Sequence, residues 1–127
     1  MNVLIDTSVW IDYFKGKKHA DSLNQLIEEN LICINDLILT ELVPLLKIKN
    51  QTEIINLLNE VTKIGLNIEW DEIITFQTKC LKKGINRVGI PDLIILQNVI
   101  QNNLTLYTFD KHFMLIKTLF PFELWNY

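Results

Sequence analysis

Short apolar runs rich in β-branched residues recur along this 127-residue chain, each parted from the next by stretches whose apolar side chains fall at helical spacing. Residues 3 to 5 (VLI), 31 to 34 (LICI) and 104 to 107 (LTLY) read as short buried strands, residues 66 to 69 offer a further one and residues 120 to 124 a last. Helical patterns lie between them: residues 9 to 14, a stretch opened by Asp21 or Ser22, residues 36 to 50, an amphipathic stretch over 51 to 64 ending near Gly65, residues 70 to 83, and a run begun by Pro91. Strands that alternate with helices imply crossover connections and therefore parallel pairing. The fold class that follows is α/β in three layers, with a central parallel sheet of four to five short strands and helices on both faces. The length suits a single domain over residues 1–127, large enough to bury a core without disulfide or metal staples.

Two of these strands end on acids. Asp6 stands at the carboxyl edge of the first, and Thr108, Phe109 and Asp110 follow the run at 104 to 107. Ligands of open parallel sheets bind outside that edge. Thr7 and Ser8 are read as caps of the helix over 9 to 14, which leaves Asp6 free for other work. Glu41 lies on an otherwise apolar helix face with Leu37, Ile38, Pro44 and Leu45 three or four positions away. A carboxylate there is costly unless it is paired or its head reaches water. Pro44 removes a helical amide donor, so a kink is expected just past Glu41. Asp92 sits beside Pro91 in a helix's first turn, where the helix dipole alone favours an acid.

The rest of the composition narrows the classes. Apolar runs fall far short of the roughly 20 residues that span a bilayer, and the start shows no basic segment followed by an apolar core, so a cytoplasmic location is expected. Cys33 and Cys80 lack ligand or redox spacing and are read as reduced packing thiols. The net charge of −3 argues against a polyanionic partner until the acids are sorted. Setting aside Asp6, Glu41, Asp92 and Asp110 leaves eleven acids against twelve Lys and Arg. Four unpaired carboxylates brought to one sheet edge would repel one another without a metal. Mg²⁺ and Mn²⁺ take such oxygen ligands, and one or two ions there suit phosphodiester hydrolysis.

The motifs VLIDTSVWID, LTELV, GIPDLIIL and LYTFDKHF, in this order and spanning essentially the whole chain, resemble those of PIN-domain ribonucleases, specifically the small VapC-type toxins of toxin–antitoxin pairs. The resemblance implies a PIN-like fold and an endoribonuclease that uses Mg²⁺, with Mn²⁺ as a substitute. It implies Asp6, Glu41, Asp92 and Asp110 as the metal-binding quartet, with Thr7 or Ser8 and Thr108 as supporting hydroxyls. It further implies a homodimer and a small antitoxin whose C-terminal segment covers the pocket. This sequence departs from the pattern at His112, where relatives often place a further acid or amide, and His112 is read as a surface histidine, with a ligand or general-acid role as the lesser alternative.

Lys15, Lys17, Lys18, Lys79, Lys82, Lys83, Arg87 and Lys111 lie near the acids in sequence and are candidates for RNA-backbone contacts, although solvation is the commoner fate of a lysine. Single-stranded or looped RNA suits such a surface. The apolar faces of residues 37 to 64 are a candidate dimer surface, with ordinary core as the alternative. Two rival functions remain: a catalytically inactive PIN-like binding module, and a receiver-type phosphoacceptor domain. The receiver type pairs two adjacent acids after its first strand, whereas Asp6 stands alone. A haloacid-dehalogenase phosphatase wants an acid where Ser8 stands.

Overall fold

The computed structural model describes residues 2–16 and 21–126. Lys17 and Lys18 of the expected basic turn lie outside the described residues, as does Tyr127. Five strands, β1 (Val3–Ile5), β2 (Ile32–Ile34), β3 (Thr62–Lys63), β4 (Thr105–Tyr107) and β5 (Glu123–Leu124), form one sheet in the order β3-β2-β1-β4-β5. Every neighbouring pair is parallel, with Val3 opposite both Ile32 and Thr105. All three residues of β1 and of β2 are buried. Because successive side chains point to opposite faces, this means that the sheet is covered on both sides.

The helices are α1 (Thr7–Phe14), α2 (Asp21–Glu28), α3 (Asp36–Ile48), α4 (Thr52–Glu60), α5 (Trp70–Lys82), α6 (Ile90–Gln101) and α7 (His112–Lys117). Their ends share one device. Gly16, Asn30, Asn50, Gly84 and Asn103, each just past a helix, all take a positive φ. After four of them the next amide reaches back to the last turn, as Leu31 N–H does to Leu26 (3.0 Å) and Leu104 N–H to Val99 (2.9 Å). Glycine and asparagine tolerate this left-handed conformation and so stop a helix sharply, here turning α2 and α6 straight into β2 and β4.

Several elements differ from the sequence expectation. The third strand is Thr62–Lys63, not residues 66 to 69, and α4 stops at Glu60 instead of running to Gly65. Pairing explains both: the Ile64 N–H bonds the Ile34 carbonyl at 2.8 Å, so the edge of β2 claims this backbone before another helical turn can form. The last strand is only Glu123–Leu124, and the chain before it contains α7, which the sequence reading passed over. Its signal was Phe113, Ile116 and Phe120, buried at spacings of three and four. α3 stays helical through Pro44 to Ile48.

Cys33 and Cys80 are buried free thiols, and burial pushes Cys33 up to about 11. Of the apolar residues in 37 to 64, Ile38, Leu39, Leu42, Leu46 and Leu58 belong to the core, while Leu45, Ile48 and Leu57 are exposed. A second exposed stripe, not foreseen, comprises Trp70, Ile74 and Leu81 of α5, with Ile90 beside them. No helix among the described residues is long and apolar enough to cross a membrane.

Candidate functional site

The sheet order reverses beside β1: β2 and β3 extend to one side, β4 and β5 to the other. A reversal of this kind opens a crevice at the carboxyl ends of the two central strands. Asp6 leaves β1 at that point, and its amide bonds the Tyr107 carbonyl at 2.9 Å, carrying the β1–β4 pairing one residue past the strand. Thr108 to Asp110 leave β4 beside it. Asp6 occupies the N-cap position of α1, but its carboxylate makes no capping bond and is only 6% exposed.

Thr7 and Ser8 do not cap α1 as expected; they are its first two residues, and both hydroxyls serve carboxylates instead. The Ser8 hydroxyl accepts the Phe109 N–H (3.0 Å) and donates to Oδ2 of Asp6 (3.0 Å). The Thr108 hydroxyl accepts the Asp110 N–H (3.0 Å) and donates to the same Oδ2 (2.7 Å). A hydroxyl has one proton, so an acceptor role toward each amide leaves that proton to be given to Asp6. The two backbone turns after β1 and β4 are thereby tied to one carboxylate oxygen. Thr7 donates to Oε1 of Glu41 at 3.0 Å, drawing the head of that exposed side chain from α3 toward the start of α1. The paired and the water-exposed readings of Glu41 thus both hold in part.

Asp92 approaches from α6, where its Oδ2 accepts the Gly89 N–H at 3.1 Å. That bond closes the first helical turn, so the dipole role foreseen for Asp92 is real and coexists with its place in the crevice. Asp110 accepts the His112 N–H on Oδ1 at 2.9 Å, and Nδ1 of the His112 ring lies 3.1 Å from the same oxygen.

The electrostatics show how closely the four acids meet. Burial raises the Asp6 carboxyl above its ordinary value; the Thr108 and Ser8 bonds pull it down, and the Asp110 charge pushes it further up. Glu41 is raised by burial, lowered by Thr7 and raised again by Asp6 and Asp92. Asp92 is raised by burial, then by Asp110 and Asp6, against the Gly89 amide and His112. Among the described residues no Lys or Arg forms an ion pair with any of the four. The pocket is a concentration of oxygen donors of one charge, which suits a hard divalent cation.

The basic candidates divide. Lys82, Lys83 and Arg87 are exposed at the end of α5 and in the loop that leads to Asp92, and Lys111 is exposed next to Asp110. Lys15 lies beyond the far end of α1 from Asp6, about 13 Å along the helix at 1.5 Å per residue. Lys79 is engaged elsewhere: its Nζ bonds the Leu119 carbonyl at 2.8 Å and lies over the Phe120 ring. His112, expected as a surface histidine, is partly exposed, with its ring beside the Asp110 carboxylate.

A family model described as PIN domain matches residues 3–118. Comparison with curated proteins gives no match. Among solved structures, the chain is similar to VapBC2 from Rickettsia felis bound to a DNA fragment from their promoter, at 24% identity and a TM-score of 0.76, covering 99% of this chain and 100% of that one. It is similar also to a toxin–antitoxin complex from Klebsiella pneumoniae (23% identity, TM-score 0.62, 87% and 88% covered). A third similar structure is FitAcB from Neisseria gonorrhoeae (17% identity, TM-score 0.69, 98% and 96% covered). At these identities the likeness is one of fold.

Proposed function

Since the chain belongs to the PIN-domain family, we propose that it is a metal-dependent endoribonuclease, a single catalytic domain acting as the toxin of a type II toxin–antitoxin pair. The observation that carries this reading is the convergence of Asp6, Glu41, Asp92 and Asp110, from four separate elements, at the crevice between β1 and β4.

Asp6, Asp92 and Asp110 would hold Mg²⁺ or Mn²⁺, whose positive charge would offset the like charges that add to burial in raising the Asp6 and Asp92 carboxyls. The ion supplies Lewis acidity, activating water and offsetting charge on the phosphate. Glu41, held by Thr7, completes the shell or orients the attacking water. Ser8 and Thr108 fix one oxygen of Asp6 and so aim the carboxylate. Water adds across a P–O bond of the RNA backbone, leaving a phosphomonoester on one side and a hydroxyl on the other. Lys82, Lys83, Arg87 and Lys111 neutralise flanking phosphates, and Lys15 contributes only to a longer RNA path. An antitoxin partner is supported by the fold's likeness to complexes of that kind. The exposed Leu45, Ile48 and Leu57 offer surface for a second copy.

The test is cleavage of structured RNA by purified, antitoxin-free protein with Mg²⁺, with Mn²⁺ and with chelator, beside the Asp92→Asn variant. Metal-dependent cleavage that the variant loses is the expected result. Equal cleavage by the folded variant would overturn the assignment, and no cleavage by folded wild type under any condition would favour a binding module.

A further inference from the structure

We propose that His112 supplies a ring nitrogen to the metal held by Asp92 and Asp110, giving this nuclease site a mixed nitrogen and oxygen shell that prefers Mn²⁺ to Mg²⁺. The inference rests on the metal-dependent reading above and adds to it a ligand and a metal preference.

The geometry is local and specific. One ring nitrogen of His112, one carboxylate oxygen of Asp92 and one of Asp110 all lie within 4.8 Å of one another. Two ligands of one ion stand at most twice the metal–ligand distance apart, about 4.2 Å for distances of about 2.1 Å. Neighbouring ligands of an octahedral ion at such distances stand about 3 Å apart, so the three groups close on one ion by side-chain adjustments of about 1–2 Å. The ring is also set in place by its own chain. The His112 N–H is bonded to Oδ1 of Asp110 at 2.9 Å, and the residue opens α7, which is anchored by Phe113 and Ile116, both wholly buried. A residue so placed is not a freely solvated surface side chain.

The donor set carries the preference. Mg²⁺ is a hard ion that favours oxygen throughout and holds strictly to octahedral geometry, whereas imidazole nitrogen is better accommodated by first-row transition ions. Replacing one oxygen by nitrogen lowers the relative affinity for Mg²⁺. It also leaves the shell with one negative charge fewer than a carboxylate at position 112 would give.

Pulsed electron paramagnetic resonance of the Mn²⁺-loaded protein reads inner-shell nitrogen directly, with no RNA present. Calorimetric titrations with Mn²⁺ and Mg²⁺ read the preference. The expected result is ¹⁴N modulation in the wild type that vanishes in His112→Asp, with the ratio of Mn²⁺ to Mg²⁺ affinity falling about tenfold. His112→Gln, which keeps a polar group but no imidazole, loses the signal in the same way. Bound Mn²⁺ without nitrogen modulation, or an unchanged affinity ratio in His112→Asp, overturns the inference and leaves the nuclease reading standing. Failure of the folded wild type to bind Mn²⁺ at all overturns both.

Discussion

Two polar clusters penetrate the core of this protein, and they are built on opposite principles. One joins Asn35, Gln97 and Asn98, each at most 2% exposed. Nδ2 of Asn35 donates to Oδ1 of Asn98 (3.0 Å), Oδ1 of Asn35 accepts the Ile38 N–H and caps α3 (2.9 Å), and Nδ2 of Asn98 donates to the Gly65 carbonyl (3.0 Å). Gln97 exchanges two bonds with the Glu69 backbone. Nε2 of Gln97 also donates to Oε1 of Glu72 (2.7 Å), the one charged acceptor among these bonds, and the network locks α3, α6 and the segment after β3 together. The other cluster, at the carboxyl edge of β1 and β4, gathers acids, and in Asp6, Glu41 and Asp92 burial and then like-charged neighbours raise the proton affinity. Its hydroxyls and amides satisfy part of the carboxylate oxygens and leave the excess charge. A network whose donors and acceptors are matched stabilises the fold; one that gathers excess like charge costs stability and creates a binding site.

The largest expected effect separates the two clusters outright. Asp6→Asn lowers metal-dependent cleavage by about 10³-fold or more, as loss of a central catalytic ligand does. In chelator the same variant unfolds at a higher temperature than the wild type, because a buried charge with like-charged neighbours has been removed. Lower thermal stability of the variant in chelator would contradict the contrast drawn here.

Asn98→Leu tests the opposite cluster. It strands the Asn35 amide and the Gly65 carbonyl, each costing about 1–3 kcal/mol, so urea unfolding should show a loss of about 3 kcal/mol. Cleavage per folded molecule is unchanged. Thr108→Val lies between the two, since Thr108 donates to Asp6 and accepts from Asp110. Metal affinity by calorimetry falls about tenfold, typical of a group that orients a ligand.

The smallest effect is on pH dependence. Asp6, Glu41 and Asp92 titrate above their ordinary values of 3.8, 4.5 and 3.8 in the folded protein, chiefly through burial. Between each ordinary value and its raised folded value the native state holds a proton that the unfolded chain has released. Stability therefore falls as pH rises through that window, and the penalty is complete above it. In chelator these three groups make the melting temperature climb as pH drops through their folded values toward the ordinary ones. Saturating Mn²⁺ or Mg²⁺ opposes this contribution, and Asp6→Asn lacks the Asp6 share of it.

Three of the four acids were legible in the chain because each adjoins a signal of its own. Asp6 and Asp110 follow β-branched or aromatic runs that form β1 and β4, and Asp92 follows a proline at a helix start. Glu41 was legible only as an anomaly on an apolar face. The amide network was not legible in the chain. Gln97 and Asn98 interrupt an apolar helix much as surface residues do, and their partners at Glu69 and Gly65 are about thirty positions away. The helix stops at Asn30, Asn50 and Asn103 were likewise not legible, because asparagine takes the left-handed conformation less often than glycine does.

The sequence by itself determined the alternation of strand and helix, the parallel sheet and the residue types able to hold a divalent cation, since these depend on periodicity and on local backbone preference. Only the tertiary structure decided which strand edge claimed Thr62 and Lys63, that Thr7 and Ser8 turn to carboxylates instead of helix amides, and that His112 stands against Asp110. Those outcomes depend on competition among partners distant in the chain. A hydroxyl or an amide has several acceptors open to it locally, and packing selects the one that leaves the fewest buried polar groups unpaired.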